Sequence, residues 1–178
     1  MKKIILPILI ILASSFLVAP DDIECSVKKN EFYLNNVKLS PVWLLSEAMG
    51  CLGIPDNVKE GYNNAYTFDK DGIVILENKF GNSASGKIKE LDIYLTQPDS
   101  DGVAPRSAFK GHFLIEKTEL ASSLSMSRVK SKLKDWTATN GYRPHSLKLT
   151  NGQLLLFCQF SEDENQLEKV SIGMYTVN

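Results

Sequence analysis

The stretch Ala65-Tyr66-Thr67-Phe68-Asp69-Lys70-Asp71-Gly72-Ile73-Val74-Ile75-Leu76-Glu77 decides the reading of the fold. Two apolar, β-prone runs, Ala65 to Phe68 and Ile73 to Glu77, flank a four-residue polar segment. Its glycine supplies the positive φ that a tight hairpin needs. Toward the C-terminus, the Gly/Ser/Asn-rich segment from Gly81 to Gly86 reads as a loop, and Ile88 to Leu95 as a third strand. Toward the N-terminus, Phe32 to Leu39 reads as a small hairpin turning at Asn35-Asn36. Ser40 and Pro41 then look like an N-cap and a first helical residue for an apolar helix over Val42 to Met49 that stops at Gly50. Leu52-Gly53-Ile54-Pro55 is the exit from it.

The same order recurs downstream. Phe109 to Ile115 and Thr118 to Leu120 form a hairpin, Ser125 caps a helix reaching Trp136, and Thr137 to Arg143 is an exit loop. Ser146 to Leu149 and Gln153 to Phe160 are joined through Thr150-Asn151-Gly152. The charged loop Ser161 to Asn165 then leads to a last strand, Leu167 to Tyr175. Pro98, Gly102 and Pro105 mark residues 97–108 as the linker between the halves. The expected fold is α+β: two repeats of hairpin, helix and three antiparallel strands, over residues 20–96 and 109–178. Together they form one long antiparallel sheet with both helices on one face.

Residues 1–19 stand outside that pattern. Met1-Lys2-Lys3 precedes an almost unbroken apolar run from Ile4 to Ala19, which is the layout of a secretory signal peptide. The run is short of the roughly 20 residues a bilayer span needs, which speaks for a leader, with an uncleaved anchor as the alternative. Membrane association is expected only through this segment, and the destination is the periplasm or the medium of a bacterium. The 178 residues carry 20 basic and 21 acidic side chains, 43% of the chain is hydrophobic and 23% charged. That is a globular composition with no electrostatic case for nucleic acid. The near-neutral total hides an asymmetry: Pro20 to Ala108 has 9 basic and 14 acidic residues, and Phe109 to Asn178 has 9 and 7.

In an oxidising compartment the three cysteines allow one bridge and leave one over. Cys158 sits inside an apolar strand, which leaves Cys25 with Cys51 as the expected pair, although connectivity is not set by sequence. Three cysteines and two distant histidines lack zinc-ligand spacing, so neither metal nor cofactor is expected. His112 and His145 are the available catalytic bases and neither has a nucleophile motif around it. Glu90 and Asp92 share one side of a strand and read as a solvated polar face. Asp69-Lys70-Asp71-Gly72 and Asp99-Ser100-Asp101-Gly102 lack the further ligands of a calcium loop and read as turns.

The run from Pro41 through Leu-Gly-Ile-Pro to the strand holding Tyr66 and Phe68 resembles the helix, turn and meander of the BamE (SmpA/OmlA) and beta-lactamase-inhibitor-protein architecture. The chain from Pro20 onward also resembles an uncharacterised family of exported bacterial domains. Phe68-Asp69-Lys70-Asp71-Gly72-Ile73 and Phe109-Lys110-Gly111 are the segments that carry this likeness. The resemblance implies a binding scaffold with no catalytic residues to carry over.

Two surfaces are candidates for a partner. One is the sheet face away from the helices. In Ile88 to Leu95, Leu91, Ile93 and Leu95 point inward and Glu90, Asp92 and Tyr94 outward. In Leu154 to Phe160 the alternation fails, because Leu155 and Phe157 lie opposite Leu154, Leu156, Cys158 and Phe160. With Val170, Ile172 and Met174 inward on the last strand, Tyr175 points outward. Tyr94, Leu155, Phe157 and Tyr175 therefore form an apolar patch for a protein partner, for a covering loop such as the linker, or for a second copy in a homodimer. The other candidate is Arg128, Lys130, Lys132 and Lys134 on the second helix, with Val129, Leu133 and Trp136 as its buried stripe. The function expected is an exported, non-catalytic inhibitor or immunity-type protein occluding a secreted toxin or envelope enzyme. The alternative is a structural envelope-assembly factor similar to BamE.

Overall fold

The computed structural model describes residues 22–81, 83–99 and 102–174. The first half runs through β1 (Glu24–Lys28), β2 (Glu31–Leu34), β3 (Val37–Lys38), α1 (Leu45–Leu52), β4 (Asn57–Lys59), β5 (Asn64–Phe68), β6 (Ile73–Phe80) and β7 (Ser83–Tyr94). The second half follows with β8 (His112–Ile115), β9 (Thr118–Glu119), α2 (Met126–Lys132), β10 (Thr137–Asn140), β11 (Ser146–Asn151), β12 (Leu154–Phe160) and β13 (Leu167–Met174). The signal peptide expected over residues 1–19, together with Tyr175, lies outside the described residues.

These elements make two sheets. One has the order β3-β2-β1-β8-β9 and the other β10-β11-β12-β13-β7-β6-β5-β4. The expected α+β fold is therefore overturned: the protein is mostly β, with 47% of the described residues in strands and 10% in two short helices, and among them no long sheet covered by helices on one face. β1 is the first reason. It pairs antiparallel with β2 and parallel with β8, setting Cys25 opposite Phe113 and Val27 opposite Ile115. Both opening hairpins are thereby drawn into a sheet of their own. Helix length is the second reason. An eight-residue helix is about 12 Å long, whereas eight strands span more than about 30 Å, so α1 and α2 cannot cover the large sheet and the small sheet takes up the rest.

Local chemistry explains most of the boundaries. The two-residue turns Lys29-Asn30 and Asn35-Asn36 have positive φ at both positions, the requirement of a type I′ hairpin, and asparagine tolerates that region better than other side chains do. The first helix starts four residues later than its Ser-Pro signal suggests, at Leu45 rather than Pro41. Trp43 takes a φ of 46°, which ends the preceding turn and sinks its indole into the core beside Phe32. The Glu47 carboxylate then accepts from the Ser40 and Leu44 N–H groups, satisfying donors the helix leaves open. Gly50 lies inside α1, and Gly53, with φ of 86°, ends it. At α2, Ser125 caps through its hydroxyl as expected, but the helix stops at Lys132 rather than Trp136.

One hydrophobic core joins the facing sides of both sheets and both helices. Leu91 and Ile93 of β7, Leu156, Cys158 and Phe160 of β12, and Val170 and Ile172 of β13 point into it. Residues 97–99 and 102–108 lie strapped across the other side of the large sheet. The Thr67 hydroxyl donates to the Val103 carbonyl at 3.0 Å, and Asp69 accepts from the Arg106 N–H at 2.9 Å and pairs with its guanidinium at 3.2 Å. The strap returns the chain to β8 directly over the Gly72 turn. A Cβ on Gly72 would stand 2.2 Å from the Phe109 nitrogen.

Gly72→Ala is thus expected to cost at least about 3 kcal/mol in urea unfolding, from positive φ and overlap together. Gly81→Ala, with a φ of 62° and open space around it, should cost only about 1 kcal/mol. Equal costs for the two variants would show that the strap does not pack on the turn.

Candidate functional site

The outer face of the large sheet holds a grid of nine residues, three from each of β12, β13 and β7. Register places Gln159, Lys169 and Tyr94 in one row, Phe157, Ser171 and Asp92 in the next, and Leu155, Gly173 and Glu90 in the third. The strand alternation that sends Leu156, Cys158, Ile172, Leu91 and Ile93 to the core sends these residues outward.

The centre of the grid is polar and nearly dry. Asp92 is 6% exposed and accepts from the Ser171 hydroxyl and, at 3.1 Å, from the Lys169 ammonium. The Lys169 ammonium also lies 5.3 Å from the centroid of the Tyr94 ring, a cation–π arrangement. Glu90 stands beside this group. Burial, and then the Asp92 charge, push its carboxyl above the usual range. Glu77 shows the opposite balance. Its burial also raises the pKa, but donors from Asn64 at 2.9 Å, Tyr66 at 2.7 Å and the Gly86 N–H at 2.7 Å outweigh it and leave the carboxyl lowered. Glu77 is a satisfied structural acid, whereas at Glu90 the lowering by Ser171 and Lys169 is too small to offset burial and the Asp92 charge.

The apolar part of the grid is closed from above by one aromatic. Tyr142 stacks on Phe157 with centroids 4.5 Å apart and planes 22° apart. Phe157 is consequently 8% exposed while Tyr142 itself is 80% exposed. Gly141 makes this approach possible, since a Cβ there would lie 2.1 Å from the Ser146 hydroxyl and 2.7 Å from the Phe157 ring. The loop is held by the Gly141 N–H donating to the Ser146 carbonyl and the Ser146 hydroxyl donating to the Arg143 carbonyl. Below Phe157, the missing side chain of Gly173 leaves a hollow of about 150 Å³ walled by Leu155, Phe157, Glu90 and Lys89. The Lys89 ammonium also lies 5.7 Å from the ring centroid of Tyr62, which is 92% exposed. A larger, shallower groove of about 480 Å³ runs between the strap and this loop, bordered by Tyr94, Gln97, Pro98, Arg143, Gln159 and Lys169.

Tyr94, Leu155 and Phe157 thus meet on one face. Tyr142 and Tyr62 were missed because both sit in loops, where strand alternation says nothing. An aromatic directly after a glycine was the available signal for Tyr142. Arg128, Lys130, Lys132 and Lys134 are all exposed, around α2 and just past its end, with Val129, Leu133 and Trp136 buried. The bridge expected between Cys25 and Cys51 is not formed: both are free thiols, as is Cys158. Cys25 is enclosed between β2 and β8, and burial pushes its thiol well above the ordinary value, away from the thiolate that disulfide exchange needs. Cys158 is pushed up to about 12 by the same cause and faces the core, which gives it no nucleophilic role. His112 pairs with Glu119 at 2.7 Å and His145 faces Glu164 at 3.4 Å, both near the surface. Among the described residues no three His, Cys, Asp or Glu side chains converge on a metal position.

The profile of the family described as Domain of unknown function (DUF7738) matches residues 22–130, more than half of the chain, and the chain belongs to that family. The expected kinship with an uncharacterised domain family is met at this level. Comparison with curated proteins gives no match. Among solved structures, an extracellular protein containing a SCP domain from Bacillus anthracis str. Ames is similar at 7% identity and a TM-score of 0.48. The likeness covers 74% of this chain and 43% of that one, so the chain spans less than half of that protein's length. None of these findings carries the likeness to BamE or to beta-lactamase-inhibitor protein.

The raised carboxyl of Glu90 has a definite pH signature. A group that binds its proton more tightly when folded makes stability fall as pH rises from the ordinary value of 4.5 through the folded pKa. Glu90→Gln removes that fall. The variant should melt higher than the parent at pH 8, and the difference should shrink steadily as the pH approaches 4. A difference in melting temperature independent of pH would rule out Glu90 as its source.

Proposed function

We propose that this member of the DUF7738 family is an exported binding protein without catalytic chemistry, of the inhibitor or immunity type. It would occlude a secreted toxin or an envelope enzyme through the outer face of the large sheet. The observation that carries this reading is the Tyr142–Phe157 stack: a rigid aromatic with one face fixed to the sheet and the other open. Interfaces draw most of their energy from such anchors, which present large area with little side-chain freedom left to lose. Leu155, half-buried beside the Gly173 hollow, and Tyr94 in the neighbouring groove extend the same surface. The leader-like segment and the order of hairpin, helix and meander, similar to that of beta-lactamase-inhibitor protein, support the choice of an inhibitor over other binding proteins. Lys169, Asp92 and Ser171 serve this surface by satisfying one another, so the polar centre needs nothing from a partner to remain buried.

The test is affinity capture from the native host, identification of the retained protein by mass spectrometry, and titration of that protein against variants. Tyr142→Ala is expected to weaken binding about thirtyfold, the effect of losing about 2 kcal/mol at a hot spot. Leu155→Asp should abolish retention while circular dichroism and melting stay close to the parent's. Undiminished retention of the same protein by both folded variants would exclude the outer face as the binding surface.

A further inference from the structure

The geometry points to a second interaction surface, adjoining the outer face: the open edge of β10 takes an extended, acidic segment of a partner protein as an added strand. The two sheets have four edges. Three are short and carry a charge within the strand, namely β3 with Lys38, β4 with Lys59 and β9 with Glu119. Charges and brevity are the usual protection against unwanted pairing. β10 differs on both counts. Its four residues, Thr137-Ala138-Thr139-Asn140, are all exposed, contain neither charge nor proline, and are the longest edge of the four.

Register shows which backbone groups are open. Thr137 to Asn140 pair with Thr150 to Leu147, and the next pair in step is Gly141 with Ser146, joined by the Gly141 N–H at 2.9 Å. Antiparallel pairs alternate between bonded and unbonded, so Thr139 and Thr137 bond inward to β11. The N–H and C=O groups of Ala138 and Asn140 face away from the sheet, and among the described residues none of them has a partner. Two donors and two acceptors in strand geometry are a template for β-augmentation.

Charge selects the occupant. Arg128, Lys130, Lys132 and Lys134 precede this strand, Arg143 follows it, and Asp135 is the single acid from Met126 to Arg143. None of the five basic residues takes part in the ion pairs found among the described residues. The chain leading into β10 therefore carries four cations outside these ion pairs, and Arg143, whose guanidinium lies 5.6 Å from the Tyr142 ring centroid, follows it, which favours an acidic segment and disfavours a second, basic copy of the same edge.

Selection of random peptides of about twelve residues on the full chain is the test, since that length can cover the four-residue strand and its basic flanks. The selected peptides should be rich in Asp and Glu. Their binding should slow hydrogen exchange at the Ala138 and Asn140 amides at least about tenfold and that at Thr139 much less, the mark of a strand added on the open side. Ala138→Pro, which deletes only an outward N–H, and the pair Lys132→Glu with Lys134→Glu should each weaken binding about tenfold or more. Leu155→Asp, two strands away on β12, should leave it unchanged, which separates this surface from the outer face. Four results would each overturn the proposal: peptides without acidic excess, unchanged exchange at Ala138 and Asn140, self-association of the chain that Ala138→Pro abolishes, or binding confined to phosphatidylglycerol vesicles. The exchange measurement uses the unaltered chain, so it decides the matter even if Ala138→Pro does not fold.

Discussion

The carboxylate of Asp92 reaches across the seam between β7 and β13, and the rest of the architecture hangs on that crossing. Each half of the chain builds a four-stranded meander, and those meanders become one eight-stranded sheet only where β7 meets β13. Asp92 comes from the first half, Lys169 and Ser171 from the second, 77 and 79 residues away in sequence. A carboxylate this far from water is tolerable only with both partners present. A slip of one residue along the seam would turn Ser171 and Lys169 into the core and bring Val170 and Ile172 out. The polar trio therefore selects the single register in which both halves bury their apolar sides.

That register also assembles the outer surface. Gln159, Phe157 and Leu155 fall beside Lys169, Ser171 and Gly173, and these beside Tyr94, Asp92 and Glu90, because the seam holds the three strands in step. Gly173 contributes by lacking a side chain, which opens the hollow between Leu155 and Glu90. The strap over residues 97–99 and 102–108 and the Gly141–His145 loop lie on the same side, and the middle row of the strip, Phe157, Ser171 and Asp92, is buried while Tyr142 and the hollow beside Gly173 stay open. A pre-shaped surface with an aromatic anchor loses little conformational entropy on binding, which supports the proposed recognition role.

Much of this was legible in the residues, and the parts that were not share a cause. The Gly72 and Gly152 hairpins, the Ser125 cap and the inward faces of β7, β12 and β13 are local or alternating signals, and the structure has them. β4 and β10 are exposed along their whole length, so they show no alternation and read as loops. β1 pairs in parallel with β8 some 88 residues later, opposite partners such as Phe113 for Cys25, and nothing local announces such a contact. Missing β1 turned two sheets into one and made the helices seem the only cover. At the site, Tyr94, Leu155 and Phe157 were visible because Leu155 and Phe157 break the alternation of an otherwise half-polar face. The Asp92 trio and Tyr142 were not, since the first requires the register of the seam and the second a loop folded back by Gly141.

The central claim is that the Asp92 contacts lock the two halves together. A double-mutant cycle of Asp92→Asn and Ser171→Ala, followed by urea unfolding at pH 7, tests it most directly. The account predicts that the two changes are coupled by about 1–3 kcal/mol, as for neighbours in one buried network. Additivity to within about 0.5 kcal/mol would contradict it, because the carboxylate and the hydroxyl would then be bystanders at a seam held by its backbone alone.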